Sequence, residues 1–188
     1  MAPRRVTKSS SHISVRTICC CRAGWYSSGF CQYSFVLSLN TEHPEHTWQE
    51  ITSNGMFTSH NSNGDSLYGA DISTHPKHRH EGIGGMLYDA RKELVIKLNL
   101  RRMIAGGRLF NYCEHVEKMS ALEYAQKVIK GDLRDPVLSF ELDNGFRFIK
   151  ILPNYLNDVR SLNYASFIEW LNPRHHQFMM DYDTERRF

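Results

Sequence analysis

Residues 75–85 bring together one arginine and several glycines in front of a long stretch with helical periodicity. Arg79 is followed by Gly82 and Gly84 in the spacing Arg-x-x-Gly-x-Gly. Backbone N–H groups at the start of a helix lack a partner inside it, and the helix dipole places partial positive charge there. Glycines let this backbone approach a ligand closely, and a guanidinium can bind two phosphate oxygens at once. The segment therefore predicts an anion-binding loop suited to phosphate groups.

Other interpretations of this segment have less support. A dinucleotide-binding fingerprint requires Gly-x-Gly-x-x-Gly and a Walker loop requires Gly-Lys before Ser or Thr, and neither spacing occurs here. The glycines alone would also fit an ordinary tight turn. Several histidines lie near the loop, but no cysteine pair or His-Glu-x-x-His helix accompanies them, so we interpret them as solvated residues and predict no metal. These histidines are His60, His75, His78 and His80.

Hydrophobic periodicity supplies the elements around the loop. Apolar residues recur at spacings of three and four over residues 83–98, which is typical of an amphipathic helix. Residues 67–74 predict a strand with a small polar face directly before the loop. The further predicted elements are a strand at 35–39, a strand at 102–105 ended by Gly106 and Gly107, a helix at 120–130 with a Ser120/Glu123 capping box and a cap at Gly131, and strands at 147–152 and 164–171. The order predicts a mixed α/β layer with one central helix packed on a sheet.

The N-terminal residues 1–34 differ from the rest of the chain. They are rich in Ser, Arg and Cys, and residues 1–35 contain five basic residues and no acid. The net charge of +3 therefore belongs to this part, and the remaining chain has no basic excess that would attract nucleic acid. We interpret residues 1–34 as an irregular or disordered extension, with an organellar transit peptide as the alternative.

Composition also bears on the cellular compartment and on the membrane. The chain has five cysteines, three of them adjacent, which is a poor disulfide framework. It has no uninterrupted apolar run of about 18 residues that could cross a membrane as a helix. We expect a cytoplasmic protein without membrane or nucleic-acid partners, or an organellar one if residues 1–34 are a transit peptide.

The residues around the loop resemble the GNAT superfamily of acyl-CoA-dependent N-acyltransferases. The run Ile72-Ser-Thr-His-Pro-Lys-His-Arg-His-Glu-Gly-Ile-Gly-Gly-Met-Leu87 is similar to that family's central strand, pyrophosphate loop and helix. The similarity extends over residues 36–172 and includes Asp143-Asn-Gly-Phe146 before a strand. The fuller pattern resembles GNAT domains that sometimes accompany a nitrilase-type carbon–nitrogen hydrolase domain. The resemblance implies a GNAT-like α/β fold with a mixed sheet in residues 35–173, followed by a C-terminal tail at 174–188.

The resemblance also implies a reaction and a set of site residues. Acetyl-CoA would be the co-substrate, and a primary amine would attack its thioester. The implied cofactor-binding residues are Ile72, Thr74, Arg79, His80, Glu81, Gly82, Ile83, Gly84 and Gly85. The reaction also needs groups that move protons, and the candidates are Asp71 on the strand and Tyr124 on the later helix, each of which has a structural role as its alternative. Glu141 stands where the family often has a tyrosine.

Three features depart from the family pattern. His80 occupies a position where glycine is common, and Glu81 brings a carboxylate next to the expected pyrophosphate. The family also has a strand and two helices before the matched region, and residues 1–34 do not resemble them, so the resemblance implies an N-terminally incomplete fold. The predicted function is N-acetyl transfer from acetyl-CoA to an amine, with a catalytically impaired CoA- or partner-binding module as the alternative. The acceptor and a homodimeric state are left open.

Overall fold

The computed structural model describes residues 30–39 and 45–176 of the 188-residue chain. Most of the predicted N-terminal extension, and the predicted C-terminal tail beyond residue 176, lie outside the described residues. Within them, no helix is both long enough and apolar enough to cross a bilayer.

Five strands form one mixed sheet in the order β1-β2-β3-β5-β4. β1 and β2 are antiparallel, β2 and β3 are parallel, and β5 lies antiparallel to both β3 and β4. The strands are β1 Phe30–Leu37, β2 Ser66–Thr74, β3 Arg102–Arg108, β4 Arg147–Leu152 and β5 Ala165–Leu171. The helices are α1 Trp48–Thr52, α2 Ile83–Lys97, α3 Ala121–Lys130 and α4 Leu138–Asp143, with short 3₁₀ turns at Pro76–His78 and Tyr112–Glu114. The predicted mixed α/β fold is confirmed.

The two faces of the sheet bury separate apolar clusters. On one face, which we call the three-helix face, Leu67 and Met103 pack with residues of α2, α3 and α4. On the opposite face, which we call the α1 face, Tyr68, Ile104 and Phe167 form a smaller cluster with α1 packed against it. Alternating side chains along a strand point to opposite faces, so β2 and β3 supply both clusters.

The two predicted helices are confirmed with their end signals. In α3, the side chain of Ser120 accepts a hydrogen bond from the Glu123 N–H while the Glu123 carboxylate accepts from Ser120, and Gly131 ends the helix at φ +84°. Both ends therefore follow the capping-box and glycine-cap rules. Helix α2 begins at Ile83 as predicted and ends at Lys97. The short helices α1 and α4 were not predicted, because five and six residues are too few to show a helical period.

Two strand boundaries differ from the predictions. β1 begins at Phe30, inside the segment assigned to the N-terminal extension. β3 continues through Gly106 and Gly107 rather than ending before them. The glycines are needed within the strand, because a Cβ on Gly106 would lie 2.3 Å from Cζ of Tyr155 and one on Gly107 would lie 2.0 Å from Oε1 of Glu141.

A buried ion cluster joins four of the strands at the end of the sheet where β3 begins. Arg102 is 1% exposed and donates to Oε1 of Glu169 at 2.9 Å and to Oγ of Ser66 at 2.8 Å. Arg147 donates to the other carboxylate oxygen of Glu169 through Nε at 2.9 Å. Burial alone would raise the pKa of Glu169, but the two guanidinium groups hold it below its usual range.

We expect Glu169→Gln to lower the free energy of unfolding by about 3 kcal/mol at pH 7, because it leaves the Arg102 charge buried without its counter-charge. Since the folded-state pKa of Glu169 is depressed, the ion cluster contributes fully at neutral pH and is lost as the pH falls through that folded-state pKa. The difference between the wild type and the variant in chemical denaturation should therefore shrink in acid.

A matched control is Asp143→Asn, which removes the ion pair with Arg134. The side chain of Asp143 is 64% exposed and that of Arg134 is 81% exposed. An exposed pair of this kind contributes less than about 0.5 kcal/mol. If both variants have equal stability at pH 7, the ion cluster does not hold the sheet as described.

Candidate functional site

The strands β2 and β3 separate partway along the sheet. They pair over four positions, from Ser66 opposite Arg102 to Gly69 opposite Ala105. β2 then continues to Thr74 along β1 only, and β3 continues to Arg108 along β5 only. Residues 70–74 and 106–108 therefore line an opening between two neighbouring strands, which we call the β2–β3 notch.

A β-bulge lies where the strands separate. The register between β1 and β2 shifts between Tyr33, opposite Asp71, and Ser34, opposite Gly69, so that Ala70 is the extra residue. A bulge of this kind bends its strand and increases the local twist. Arg91 of α2 is 1% exposed and donates through Nη2 to the carbonyl oxygen of Tyr33 at 3.1 Å and to that of Asp71. This guanidinium therefore fixes the bend, a positioning role that the sequence analysis did not assign to Arg91.

The predicted anion-binding loop connects β2 to α2. A 3₁₀ turn at Pro76–His78 leads to His80 and Gly82, whose φ angles are +67° and +76°. Within the described residues, the backbone N–H groups of residues 80–82 donate no hydrogen bond. The N–H groups of residues 83–85 belong to the first turn of α2, where no side chain caps the helix. The loop is exposed, so these amides are accessible to a ligand.

The charged side chains of the loop are arranged to leave the amides open. Arg79 is exposed and forms no ion pair with the described residues. The sequence places the carboxylate of Glu81 next to the expected pyrophosphate. In the structure this carboxylate contacts Nδ1 of His78 at 3.2 Å, and the Glu81 side chain is 54% exposed. The carboxylate therefore interacts with an imidazole beside the loop.

Helix α4 connects the loop with the notch. Phe140 packs on Gly84 at the start of α2, where an added Cβ would lie 2.8 Å from its ring. The next residue, Glu141, lies on Gly107 in the notch and accepts a hydrogen bond from Oγ of Ser166 at 3.4 Å. Burial raises the pKa of Glu141 well above its usual range.

The two predicted proton-transfer residues lie in different surroundings. Asp71 is exposed on β2 in the notch. Partial burial of its carboxyl raises its pKa, while the guanidinium groups of Arg91 and Arg108 act in the opposite direction. Tyr124 belongs to α3 and is fully buried, and its hydroxyl donates to Oδ2 of Asp135 at 2.8 Å. This placement favours the structural alternative for Tyr124.

The remaining predicted cofactor residues lie on β2 and at the start of α2. Ile72 is half-buried and packs against the three-helix cluster. Thr74 ends the strand opposite Phe30, and Ile83 begins the helix. The structure thus brings all nine predicted cofactor residues to one loop and its two flanking elements.

The histidines that the sequence analysis considered as metal ligands have local contacts. Nδ1 of His60 accepts a hydrogen bond from the N–H of Val36, and Nδ1 of His75 accepts from Lys77. Among the residues that the structure describes, no three His, Cys, Asp or Glu side chains are grouped closely enough to hold a metal ion.

Comparison of the sequence with known proteins gives two relatives from Bacillus subtilis (strain 168), while no protein-family model matches. The probable hydrolase YhcX is 45% identical over 140 residues, which cover 74% of this chain and 27% of the relative. The uncharacterized N-acetyltransferase YkwB is 38% identical over 139 residues, covering 74% of this chain and 62% of the relative. This chain therefore spans about a quarter of one relative and less than two thirds of the other.

Two solved structures share the fold. The loading GNATL domain of CurA from Lyngbya majuscula aligns with a TM-score of 0.66 and 18% identity, over 76% of this chain and 70% of that one. The GNAT-like decarboxylase GphF, in complex with isobutyryl-CoA, aligns with a TM-score of 0.60 and 19% identity, over 76% and 72% of the two chains. This chain therefore has the GNAT-like fold that the resemblance implied.

Proposed function

We propose that this chain binds acetyl-CoA and transfers its acetyl group to a primary amine. The observation that carries the proposal is the set of unpaired, accessible amides at residues 80–85, directly beside an opening between two strands. The likeness to YkwB, which is named as an N-acetyltransferase, supports acyl transfer as the class of reaction.

The loop would bind the diphosphate of the cofactor. The amides of residues 80–85 would donate to its oxygens, and the α2 dipole favours negative charge at this end. Left-handed residues in such a loop turn successive N–H groups toward one concave surface. Arg79 would add a guanidinium that can bind two phosphate oxygens at once. Gly84 contributes differently, because its missing side chain lets Phe140 pack against the start of α2.

The notch would receive the pantetheine arm. Its amides would hydrogen-bond to backbone groups of β2 near Ile72 and Thr74, where β2 has no partner on the β3 side. The thioester would then lie between two strands whose backbone dipoles can polarise its carbonyl. The ammonium group first loses one proton, and the neutral amine nitrogen then attacks this carbon. The new C–N bond forms, the C–S bond breaks and the nitrogen gives up a second proton, while the leaving thiolate takes up one proton to become the free thiol.

Asp71 is the group that we assign to the incoming amine. Its carboxylate is exposed at the notch, while α2 and the loop lie on the three-helix face of the sheet. A carboxylate there would attract the ammonium form of the acceptor and orient it toward the thioester. The acceptor could be a small amine, a peptide N-terminus or a lysine. Thiol release measured with one substrate of each kind would identify its class.

The alternative is a module that binds CoA or a partner without catalysing transfer. The solved neighbours do not decide the acyl group, since one of them contains isobutyryl-CoA. Thiol release from acetyl-CoA and from isobutyryl-CoA, measured with a panel of amines, distinguishes the possibilities. We expect CoA to raise Tm and an amine to stimulate thiol release from acetyl-CoA. A raised Tm without stimulated release would favour the binding module, and no CoA effect at all would exclude both.

The extent and setting of the domain are part of the same proposal. We assign residues 35–173 to the acyltransferase domain, together with the first residues of β1, which begins at Phe30. We also propose a cytoplasmic location and a homodimeric state, which fractionation and the mass in solution would test.

Gly82→Asp tests the diphosphate site. The substitution adds a negative charge among the unpaired amides, and nothing lies within 4 Å of the added Cβ to prevent folding. We expect at least a tenfold increase in the Kd for CoA by calorimetry, equivalent to about 1.4 kcal/mol.

Gly131→Asp is the matched control, because Gly131 also has a left-handed φ of +84° and open space around its Cβ but lies at the end of α3. It should share the backbone strain and leave CoA affinity unchanged. A folded Gly82→Asp protein with wild-type affinity would refute the site.

Asp71→Asn tests the acceptor side. We expect the KM for the amine to rise about tenfold, since a charge-assisted contact is lost, with little change in the Kd for CoA. Because the pKa of Asp71 is raised, the wild-type KM should increase as the pH falls through it, and the variant should lack this dependence. Asp89→Asn, an exposed change on α2, should behave as wild type, and an equal KM in all three proteins would contradict the assignment.

A further inference from the structure

Three polar side chains on the α1 face form one continuous hydrogen-bonded chain. The hydroxyl groups of Tyr155 and Tyr68 lie 2.8 Å apart, and the hydroxyl of Tyr68 lies 2.7 Å from Nε2 of His46. Tyr68 and Tyr155 are 0% and 2% exposed, while His46 is only partly buried. The chain therefore connects buried hydroxyl groups with an imidazole near solvent.

The buried end of this chain is at the notch. The ring of Tyr155 occupies the space where Gly106 has no side chain, and its hydroxyl oxygen would lie 2.7 Å from a Cβ added to Gly106. Gly106 is the first residue of β3 beyond its pairing with β2, so the Tyr155 hydroxyl lies beside the opening proposed for the thioester.

The other end is held in place by α1. His46 precedes the helix and contacts the rings of Tyr68, Tyr155 and Phe167 edge-on, at centroid distances of 5.5 to 5.8 Å. Trp48 donates its backbone N–H to the Tyr155 carbonyl at 2.7 Å and its indole N–H to the Ala70 carbonyl at 3.0 Å. Since Ala70 is the bulge residue, α1 ties the imidazole to both the bulge and Tyr155.

We propose that Tyr155, Tyr68 and His46 form a proton relay that removes the proton of the acceptor amine from the notch. This proposal rests on the proposed acyltransferase function. The amine nitrogen gives a proton to the Tyr155 oxygen as the C–N bond forms. Tyr155 passes its own proton to Tyr68, and Tyr68 passes its proton to Nε2 of His46. The products are the neutral amide nitrogen and an imidazolium, which returns its proton to solvent.

The tyrosines act without ionising. Burial raises the pKa of Tyr68 well above its usual range, and it also raises the pKa of Tyr155. A hydroxyl in such a site accepts one proton while it donates another, and only the imidazole changes its charge. The role differs from that of Asp71, which attracts the ammonium group, so the two sets of variants should affect different kinetic parameters.

Within residues 30–39 and 45–176, titratable groups face His46 from three parts of the chain. Tyr68 comes from β2, Tyr155 follows β4, and Glu50 comes from α1. The hydrogen bonds to Thr47 lower the pKa of Glu50, and the imidazole of His46 contributes in the same direction. Phe167 supplies an apolar contact from β5.

The test measures kcat and KM for amine-stimulated thiol release in Tyr155→Phe, Tyr68→Phe and His46→Gln. We expect kcat to fall by about tenfold or more in each variant, with the KM for the amine and the Kd for CoA within about twofold of wild type. In His46→Gln the acidic limb of the kcat–pH profile should disappear, and added imidazole should restore part of the activity of His46→Gly.

His60→Gln is the matched control, because His60 is a partly buried histidine whose Nδ1 accepts only a backbone N–H, that of Val36. It should keep the wild-type kcat. If folded Tyr155→Phe and His46→Gln proteins keep a wild-type kcat and pH profile, the tyrosines are structural and the relay is refuted. A wild type without amine-stimulated release refutes the acyltransferase function itself, and the relay with it.

Discussion

The separation of β2 from β3 after Gly69 and Ala105 is the constraint on which the rest of the site depends. Two paired strands would satisfy each other's backbone groups and leave no room for a ligand arm. Here the bulge at Ala70 turns β2 away, and the buried guanidinium of Arg91 from α2 binds the carbonyl groups of Tyr33 and Asp71, which are paired on β1 and β2 next to the bulge. The sheet stays intact on both sides, because β1 follows β2 and β5 follows β3.

The sheet divides the proposed chemistry between its faces. The loop, α2 and α4 lie with the three-helix cluster, where Phe140 contacts Gly84 and Glu141 contacts Gly107. The α1 face carries the tyrosine pair and His46. Gly106 and Gly107 are consecutive residues, so β3 admits one side chain from each face at the same point of the notch. In the proposed reaction, the cofactor would therefore contact elements on the three-helix face, and the acceptor would contact residues on the α1 face.

The loop proposed to bind the cofactor, and the helices α2 and α3, could be predicted from the sequence because their signals are local. The spacing of Arg79, Gly82 and Gly84, the period of α2 and the capping box at Ser120 each involve residues close together in the chain. The rest depends on contacts between distant residues. Gly106 and Gly107 predicted the end of a strand, because the sequence does not show that Tyr155 and Glu141 fill the space next to their Cα atoms. Nor does the sequence show that the hydroxyl of Tyr124 donates to Asp135.

The histidine at position 80 has a consequence for the evolution of this loop. A left-handed backbone at a residue with a Cβ costs on the order of 1–3 kcal/mol, and among the described residues no side chain caps the start of α2 beside it. Substitution of His80 by glycine would remove this strain and allow the backbone of the turn to adopt more conformations. An imidazole at position 80 therefore lowers the stability of the loop, but it restricts the backbone to fewer conformations than glycine would.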